Sequence, residues 1–346
     1  MGRREGNERT QRRRRSVSVL IVVFFILSPF LLLGLMLWTP LSKYAPKELR
    51  LLTRHLQHVP ISKLRACRCD SEVEVIFERP DGLRIAGSLY GGKGNAERPG
   101  ILLLHGNTPL GRKLGFYEVL ATLLSKRGAV VLSFDFTGFG ESDDPFLGSA
   151  KGLWENGRDV EAAIDYLLRL QNIDPARISI IGHSRGAIFG FEVGIRRPEI
   201  KNLIAIGPPR RVTERMQDPS DRDYFWEREI QTRAQIYKKS FPPSFTKALW
   251  LEGFLDSDME KHIAYFSQTH HKPLLLIDGE RESAKDRAYL KNYYDKIEEP
   301  KSYLTIQNSD HYGNTWELGG FDLYDQGVMS DTADGILKWM NAMSEV

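Results

Sequence analysis

The chain has 346 residues, and because 41% of them are hydrophobic and 27% are charged, it can bury a sizeable core. Its net charge of +3 is unevenly distributed: seven arginines and two glutamates lie in the first fifteen residues, which leaves 41 basic and 43 acidic side chains elsewhere. The near-neutral remainder argues against a nucleic-acid partner, which would need a basic face on the folded domain.

An uncharged N-terminal stretch determines where we expect the protein to reside. Residues 17–38 are apolar and long enough to cross a hydrocarbon core of about 30 Å as one transmembrane helix. A cleavable signal peptide is the alternative, but residues 37–40 (LWTP) offer no small-residue cleavage site. Residues 1–16 form a basic tail, which the positive-inside rule keeps in the cytoplasm. The sequence therefore predicts a single-pass membrane protein whose main domain is extracytoplasmic.

The chain contains no N-x-[ST] sequon, which favours a bacterial inner membrane, with the domain facing the periplasm, over a eukaryotic lumen. Residues 39–71 are predicted to form a juxtamembrane linker. Apolar residues recur at helical spacing over 47–59, and this amphipathic helix either packs on the following domain or lies on the membrane surface. Cys67 and Cys69 are too few for a disulfide framework, so they are either free thiols or one small ring.

From residue 72 onward, strand and helix patterns alternate. A hairpin is predicted from the segments at 73–77 and 83–90, which flank Pro80-Asp81-Gly82. Buried strands are predicted from the apolar runs at 101–104, 130–134, 178–181, 203–206, 274–277 and 303–306. Helical spacing fills most of the intervals, at 116–126, 158–170, 187–196, 286–297 and 332–343. This alternation predicts an α/β fold with a mainly parallel, doubly wound sheet over residues 72–346.

One interval between predicted strands is too long for a plain connection. Residues 208–272 are rich in charged and aromatic side chains and are predicted to form an inserted cap, with an ordinary extra helix pair as the alternative. This interval contains His262, His270 and His271. No carboxylate spacing supports a metal site there, so we interpret these histidines as surface or cap residues.

The segment Gly182-His183-Ser184-Arg185-Gly186 directly follows the predicted strand at 178–181 and opens a helix. A nucleophilic serine in such a position needs a sharp turn from strand to helix, which strains its backbone and leaves no room for side chains two residues away on either side. Both glycines therefore have a steric reason, and the context predicts that Ser184 is a nucleophile. The alternative is a glycine-rich turn without chemistry.

Two further motifs lie at predicted strand ends: LLHGN at 103–107 and DFTGFGES at 135–142. Together with the serine motif, they make residues 72–346 resemble the α/β-hydrolase superfamily. The resemblance implies an oxyanion hole formed by the backbone N–H groups of Asn107 and Arg185.

The resemblance leaves a second possible N–H donor for the oxyanion hole, and it points to two residues that support the neighbouring loops. Thr108 is the rival to Asn107 in the oxyanion hole. His105 and Asp135 are expected to brace loops rather than to react.

The resemblance also implies the chain order serine, acid, histidine. Of the eight histidines, only His311 follows the seventh predicted strand, at 274–277, and it is therefore the implied general base. The common family pattern His-Gly-x-x-Asp is replaced here by 278–282 (DGERE), which makes Glu282 the acid by register. Asp278 and Asp286 remain rivals for that role.

The expected reaction is hydrolysis through a covalent acyl-enzyme, which requires no cofactor and no metal. The predicted substrate is a small-molecule or lipid-like acyl compound, and a carboxylesterase is the leading hypothesis. A serine peptidase of the aminopeptidase or prolyl-oligopeptidase type would use the same machinery. A third hypothesis is a non-catalytic, membrane-tethered binding protein on this scaffold. The oligomeric state is left open.

Overall fold

A computed structural model of the chain describes residues 59, 61–67, 73–94, 96–108, 110–147, 155–209, 216–235, 240–256, 272–318 and 321–344. The chain divides into two compact units, Met1–Pro60 and Ile61–Val346, and all elements given below lie in the second. The predicted transmembrane helix at 17–38 lies outside the described residues, as do residues 47–58 of the predicted amphipathic helix. Within the described ranges, no helix combines the length and the apolar character that a membrane crossing needs.

The elements agree closely with the predicted alternation. The strands are β1 (Leu64–Cys67), β2 (Val73–Glu78), β3 (Arg84–Tyr90), β4 (Arg98–Leu104), β5 (Val130–Phe134), β6 (Ile173–His183), β7 (Ile200–Ile206), β8 (Leu274–Gly279), β9 (Lys301–Ile306), β10 (Thr315–Leu318) and β11 (Phe321–Asp325). The helices are α1 (Gly115–Lys126), α2 (Asn156–Leu168), α3 (Arg185–Gly194), α4 (Pro219–Gln235), α5 (Lys247–Asp256), α6 (Ala284–Lys296) and α7 (Gln326–Ser344).

Eight strands form the main sheet in the order β2-β3-β5-β4-β6-β7-β8-β9. Strand β3 runs antiparallel to both of its neighbours, β2 and β5. All other neighbouring strands of this sheet, including the β5-β4 and β4-β6 pairs, are parallel. The central strands are continuous apolar runs because both faces of a parallel sheet are covered. The predicted α/β fold with a mainly parallel sheet is confirmed.

Helices cover both faces of the main sheet, as a doubly wound fold requires. Successive residues of β4 point to opposite faces. Ile101 packs in a cluster with residues of α1 and α7, whereas Leu102 packs with residues of α2, α3 and α6. Both side chains are fully buried, and each such burial contributes about 1.5–3 kcal/mol to folding. The two cores fix the strand ends from which the site is built.

A second, three-stranded sheet has the order β1-β11-β10, and its pairs are antiparallel. It was not predicted, because its strands are only four or five residues long and carry charged side chains. Strand β1 lies within the 39–71 segment that the sequence assigns to a linker. At its end, Cys67 is disulfide-bonded, so it is not a free thiol.

Helix α7 begins earlier than the predicted 332. The carboxylate of Asp325 accepts hydrogen bonds from the backbone N–H groups of Gly327 (2.9 Å) and Val328 (3.3 Å), and this caps the helix at Gln326. The prediction over 332–343 therefore missed the first turns of the helix, in which Val328 and Met329 are already buried.

The described part of the 208–272 insertion contains α4 and α5. Trp250 of α5 is fully buried, and its ring lies 5.6 Å from that of Trp226 in α4. Arg233 of α4 forms an ion pair with Asp144 and lies 4.8 Å above the ring of Phe146, both of which belong to the segment after β5. These contacts fasten the insertion to the side of the sheet on which the parallel strands end.

Candidate active site

Ser184 lies at the turn between the end of β6 and the start of α3. Its backbone angles, φ 51° and ψ −122°, lie in a region that non-glycine residues rarely adopt. A β-carbon at Gly182 would lie 2.5 Å from the Cα of Ala187, and one at Gly186 would lie 2.5 Å from the carbonyl oxygen of Leu104. The steric reason for both glycines is therefore confirmed, and the fold holds Ser184 in a strained turn.

The backbone of Ser184 is held on two sides. Its N–H donates a 2.9 Å hydrogen bond to the carbonyl oxygen of Ile206, the last residue of β7. On the other side lies Gly106, where a β-carbon would be 2.9 Å from the Cβ of Ser184. The loop after β4 can therefore approach the serine only because residue 106 is glycine.

The two rival oxyanion donors in this loop differ in how their N–H groups are used. The N–H of Thr108 donates a 2.9 Å bond to the carbonyl oxygen of Gly106, so it is already engaged. The N–H of Asn107 donates no bond to any residue that the structure describes. Arg185 is the first residue of α3, where N–H groups have no acceptor within the helix and the dipole favours negative charge.

His311 and Glu282 meet beside the serine turn. The Nδ1 atom of His311 lies 3.5 Å from Oε2 of Glu282, and the side chains are 34% and 11% exposed. The other carboxylate oxygen, Oε1, accepts a 3.3 Å bond from the N–H of Gly279 at the end of β8. The carboxylate is thus fixed to a strand end, and the imidazole keeps an open edge toward solvent.

The two rival carboxylates are engaged elsewhere. Asp278 is 1% exposed and accepts hydrogen bonds from Nε of Arg287 (2.9 Å) and the hydroxyl of Tyr303 (2.8 Å). Asp286 is half-buried and accepts a hydrogen bond from Ser283, the residue that caps α6. Of the three candidate acids, Glu282 is the one that lies within ion-pair distance of His311.

His105 and Asp135 join loops. Nδ1 of His105 donates to the carbonyl oxygen of Gly106 (2.7 Å), and its Nε2 accepts from the N–H of Phe136 (3.1 Å), so the ring connects the segments after β4 and β5. Burial lowers the pKa of His105 to about 4, which keeps it neutral. Asp135 accepts the N–H groups of Arg112 (2.7 Å) and Glu141 (2.9 Å). Neither residue has the exposure that a reacting group needs.

The insertion contacts the candidate oxyanion loop. The side-chain amide of Asn107 donates a 3.0 Å bond to Oε1 of Glu229 in α4. Three of the exposed large apolar side chains lie close in sequence to these site residues: Leu110 in the loop after β4, Ile230 next to Glu229, and Tyr312 next to His311. His262, His270 and His271 of the insertion lie outside the described residues.

Sequence reasoning missed two residues beneath the site, Tyr117 and His183. Both are fully buried, and the ring of His183 lies 4.6 Å from that of His311. The position of His183, directly before Ser184, was the available signal. Tyr117 carries no such signal, because it looks like an ordinary core residue of an amphipathic helix.

Residues 96–265 match a family model described as serine aminopeptidase, S33. Over 125 residues the chain is 33% identical to an uncharacterized protein of Mycobacterium tuberculosis, which is 36% of this chain and 42% of that protein. Over 205 residues it is 25% identical to esterase EstD of Thermotoga maritima, which is 55% of this chain and 48% of that protein. The chain therefore spans less than half the length of these curated relatives.

Solved structures share the architecture. Est1E from Butyrivibrio proteoclasticus, solved with bound ferulic acid, matches with a TM-score of 0.54 and 16% identity, over 78% of this chain and 99% of that one. At that identity the likeness concerns the fold alone. The shared architecture shows that this chain has the α/β-hydrolase fold, and residues 96–265 within that fold match the serine aminopeptidase family model.

Proposed function

We propose that the chain is a serine hydrolase that cleaves carboxylic esters, with Ser184 as nucleophile, His311 as general base and Glu282 as the acid. One observation carries this proposal. The His311 and Glu282 side chains meet over Gly207, and the preceding residue, Ile206, accepts the backbone N–H of Ser184. A base oriented by a carboxylate beside a strained serine is the arrangement that activates a hydroxyl.

The reaction follows from these positions. As Oγ of Ser184 forms a bond to the acyl carbon, His311 takes the hydroxyl proton. Glu282 holds the imidazole tautomer and stabilises its positive charge, and the 3.5 Å contact is of the kind that tightens in substrate complexes. The N–H groups of Asn107 and Arg185 stabilise the charge that develops on the carbonyl oxygen.

Three further proton transfers complete the cycle. His311 first donates its proton to the departing alkoxide as the bond to the alcohol breaks, which leaves an acyl-enzyme on Ser184. It then takes a proton from water, whose oxygen attacks the acyl carbon, and returns that proton to Oγ as the acid departs. The residues named here suffice for every proton transfer.

A carboxylic ester is the favoured substrate class for two reasons. One relative by sequence, from Thermotoga maritima, is named as an esterase. The exposed apolar side chains of Leu110, Ile230 and Tyr312 lie on segments next to the site and suit an apolar acyl group. The substrate we propose is therefore a small or lipid-like acyl ester, and the enzyme class is that of a carboxylesterase.

A serine peptidase of the aminopeptidase type is the second candidate, because the family model over residues 96–265 carries that description. The full chain should be assayed on p-nitrophenyl esters of graded acyl length and on aminoacyl p-nitroanilides, with Ser184→Ala as the control. We expect serine-dependent turnover of the esters. Faster turnover of the anilides would support the peptidase, and turnover of neither by a folded sample would support a binding protein.

We further infer that residues 17–38 anchor the chain in a membrane as a single span, with the N-terminus in the cytoplasm and the hydrolase domain outside it. The uncharged stretch and the arginine-rich tail before it support this orientation. Protease added to spheroplasts should digest the hydrolase domain and spare the tail. Protection of the domain would show that the inferred orientation is wrong. Recovery of the full chain in the soluble fraction would contradict the membrane anchor.

A further inference from the structure

A chain of hydrogen bonds runs beneath the candidate site. The N–H of Gly106 donates to the hydroxyl of Tyr117 at 2.7 Å, and that hydroxyl lies 2.8 Å from Nδ1 of His183. On the other edge of the same ring, Nε2 lies 2.9 Å from the carbonyl oxygen of His311. The chain therefore begins in the loop after β4, crosses α1 and the end of β6, and ends at the backbone of the proposed base.

The direction of every bond in this chain is fixed. A carbonyl oxygen only accepts, so Nε2 of His183 must donate to His311. Burial lowers the pKa of His183 well below its usual value, so the ring is neutral and its Nδ1 has no proton. The hydroxyl of Tyr117 must then donate to Nδ1, while its oxygen accepts from the N–H of Gly106.

The two ends of this hydrogen-bond chain lie at the parts of the site whose spacing matters most. Gly106 directly precedes Asn107, whose N–H is proposed to stabilise the oxyanion, and His311 is the proposed base. His183, in the middle of the chain, directly precedes Ser184. A substrate carbonyl would be attacked between these two ends, so their separation determines whether attack and charge stabilisation occur at one place.

We propose that Tyr117 and His183 are positioning residues, which hold the oxyanion loop and the backbone of His311 at a fixed separation around Ser184. This inference rests on the proposed hydrolase function. Neither side chain reaches the substrate side, since both are fully buried. They act through Gly106 and His311.

The test begins with Tyr117→Phe in the full chain, which removes the hydroxyl and keeps the ring. We expect kcat for the preferred p-nitrophenyl ester to fall by roughly 10- to 100-fold, the scale of a misplacement of about 1 Å, while KM changes by less than about twofold. The matched control is Tyr293→Phe, which removes another buried hydroxyl, one that donates to Tyr289 in α6. This control should keep the kcat of the wild type.

His183 permits a rescue experiment. His183→Gln keeps an N–H donor and a carbonyl acceptor on one side chain, whereas His183→Leu has neither. We expect the leucine variant to match the loss in Tyr117→Phe and the glutamine variant to recover most of kcat. The double variant Tyr117→Phe/His183→Leu should have a kcat no lower than that of the more impaired single variant, because the hydrogen-bond chain acts as a unit.

All rates are measured well below each variant's unfolding temperature. A purely structural role would lower that temperature and leave kcat unchanged. The inference is overturned if folded Tyr117→Phe and His183→Leu retain kcat within twofold, or if Tyr293→Phe loses as much. Should Tyr117→Phe fail to fold, the two His183 variants decide the question alone. A wild-type chain without turnover would overturn the hydrolase proposal itself and this role with it.

Discussion

Gly207 lies directly against the imidazole of His311. A β-carbon at this position would be 2.8 Å from both Nδ1 and Cε1 of His311 and 3.1 Å from Oε1 of Glu282. The backbone of Gly207 has φ +50°, which also favours glycine, and its N–H donates to the carbonyl oxygen of Ile277 at 2.9 Å. The strand end after β7 is thus shaped to leave the histidine and its carboxylate in contact.

Gly207→Ala should lower kcat because the new methyl group must displace the imidazole. A displacement of about 1 Å reduces rates by about 100-fold, so we expect a loss of this order with little change in KM. The measurement is steady-state ester hydrolysis by the full chain.

Gly128→Ala is the matched control for that variant. Gly128 has φ +101°, and a β-carbon there would meet no atom within 4 Å. Both variants should lose about 1–2 kcal/mol of unfolding free energy through the left-handed backbone, but Gly128→Ala should keep its kcat. Equal activity of the two variants would show that the space at Gly207 does not matter to the reaction.

Ser184→Ala and His311→Ala should each reduce kcat by roughly 10⁴-fold or more. Because the proposed mechanism assigns both residues to the same proton transfer, the double variant should be about as impaired as either single variant. Thermal unfolding should stay near that of the parent. A double variant far worse than both singles would contradict the shared role.

Glu282→Gln should lower kcat by a factor on the order of 10⁴, because an amide in place of the carboxylate no longer holds the histidine in its reactive tautomer. Asp286→Asn should stay within about tenfold, because this half-buried side chain accepts a hydrogen bond from Ser283 at the start of α6 and is not the carboxylate beside His311. Asp278→Asn is expected to lower stability more than kcat, since it alters a buried carboxylate bound by Arg287 and Tyr303. A large kcat loss in Asp278→Asn with a small one in Glu282→Gln would reassign the acid.

The stability of the domain should fall as the pH is lowered from 7 to 4. Burial lowers the pKa of His105 to about 4, whereas the unfolded chain takes up the proton near pH 6.5. The unfolded state therefore binds more protons in this window, and the unfolding free energy decreases by about 3 kcal/mol on account of this residue. Urea denaturation of the wild type and of His105→Gln should differ in pH dependence by that amount. Equal pH dependence would mean that His105 titrates alike in both states.

Periodicity predicted the main sheet well, because its central strands are buried on both faces and its helices have one apolar face. It missed β1, β10 and β11, whose short segments carry mixed side chains. Helix α7 was predicted too late, although its buried face already includes Val328 and Met329. The carboxylate cap at Asp325 was the signal for its true start.

Local patterns made Ser184 and, through the resemblance, His311 candidates for the site, but the choice among carboxylates depended on three-dimensional contacts. Glu282 and Asp278 lie four residues apart at one strand end, and which of them faces the histidine depends on the turn after β8. The Tyr117 contact to His183 joins residues that are 66 positions apart in the chain. No pattern within a single segment could have predicted it.

Activation of Ser184 by His311 is the step on which the proposed mechanism depends. It can be measured by labelling the folded full chain with a fluorophosphonate probe, followed by mass spectrometry of the labelled peptide. We expect covalent modification at Ser184 in the wild type and in Gly128→Ala, a rate reduced by several orders of magnitude in His311→Ala, and no modification in Ser184→Ala. Absence of labelling in the wild type, or equal labelling rates in wild type and His311→Ala, would contradict this mechanism.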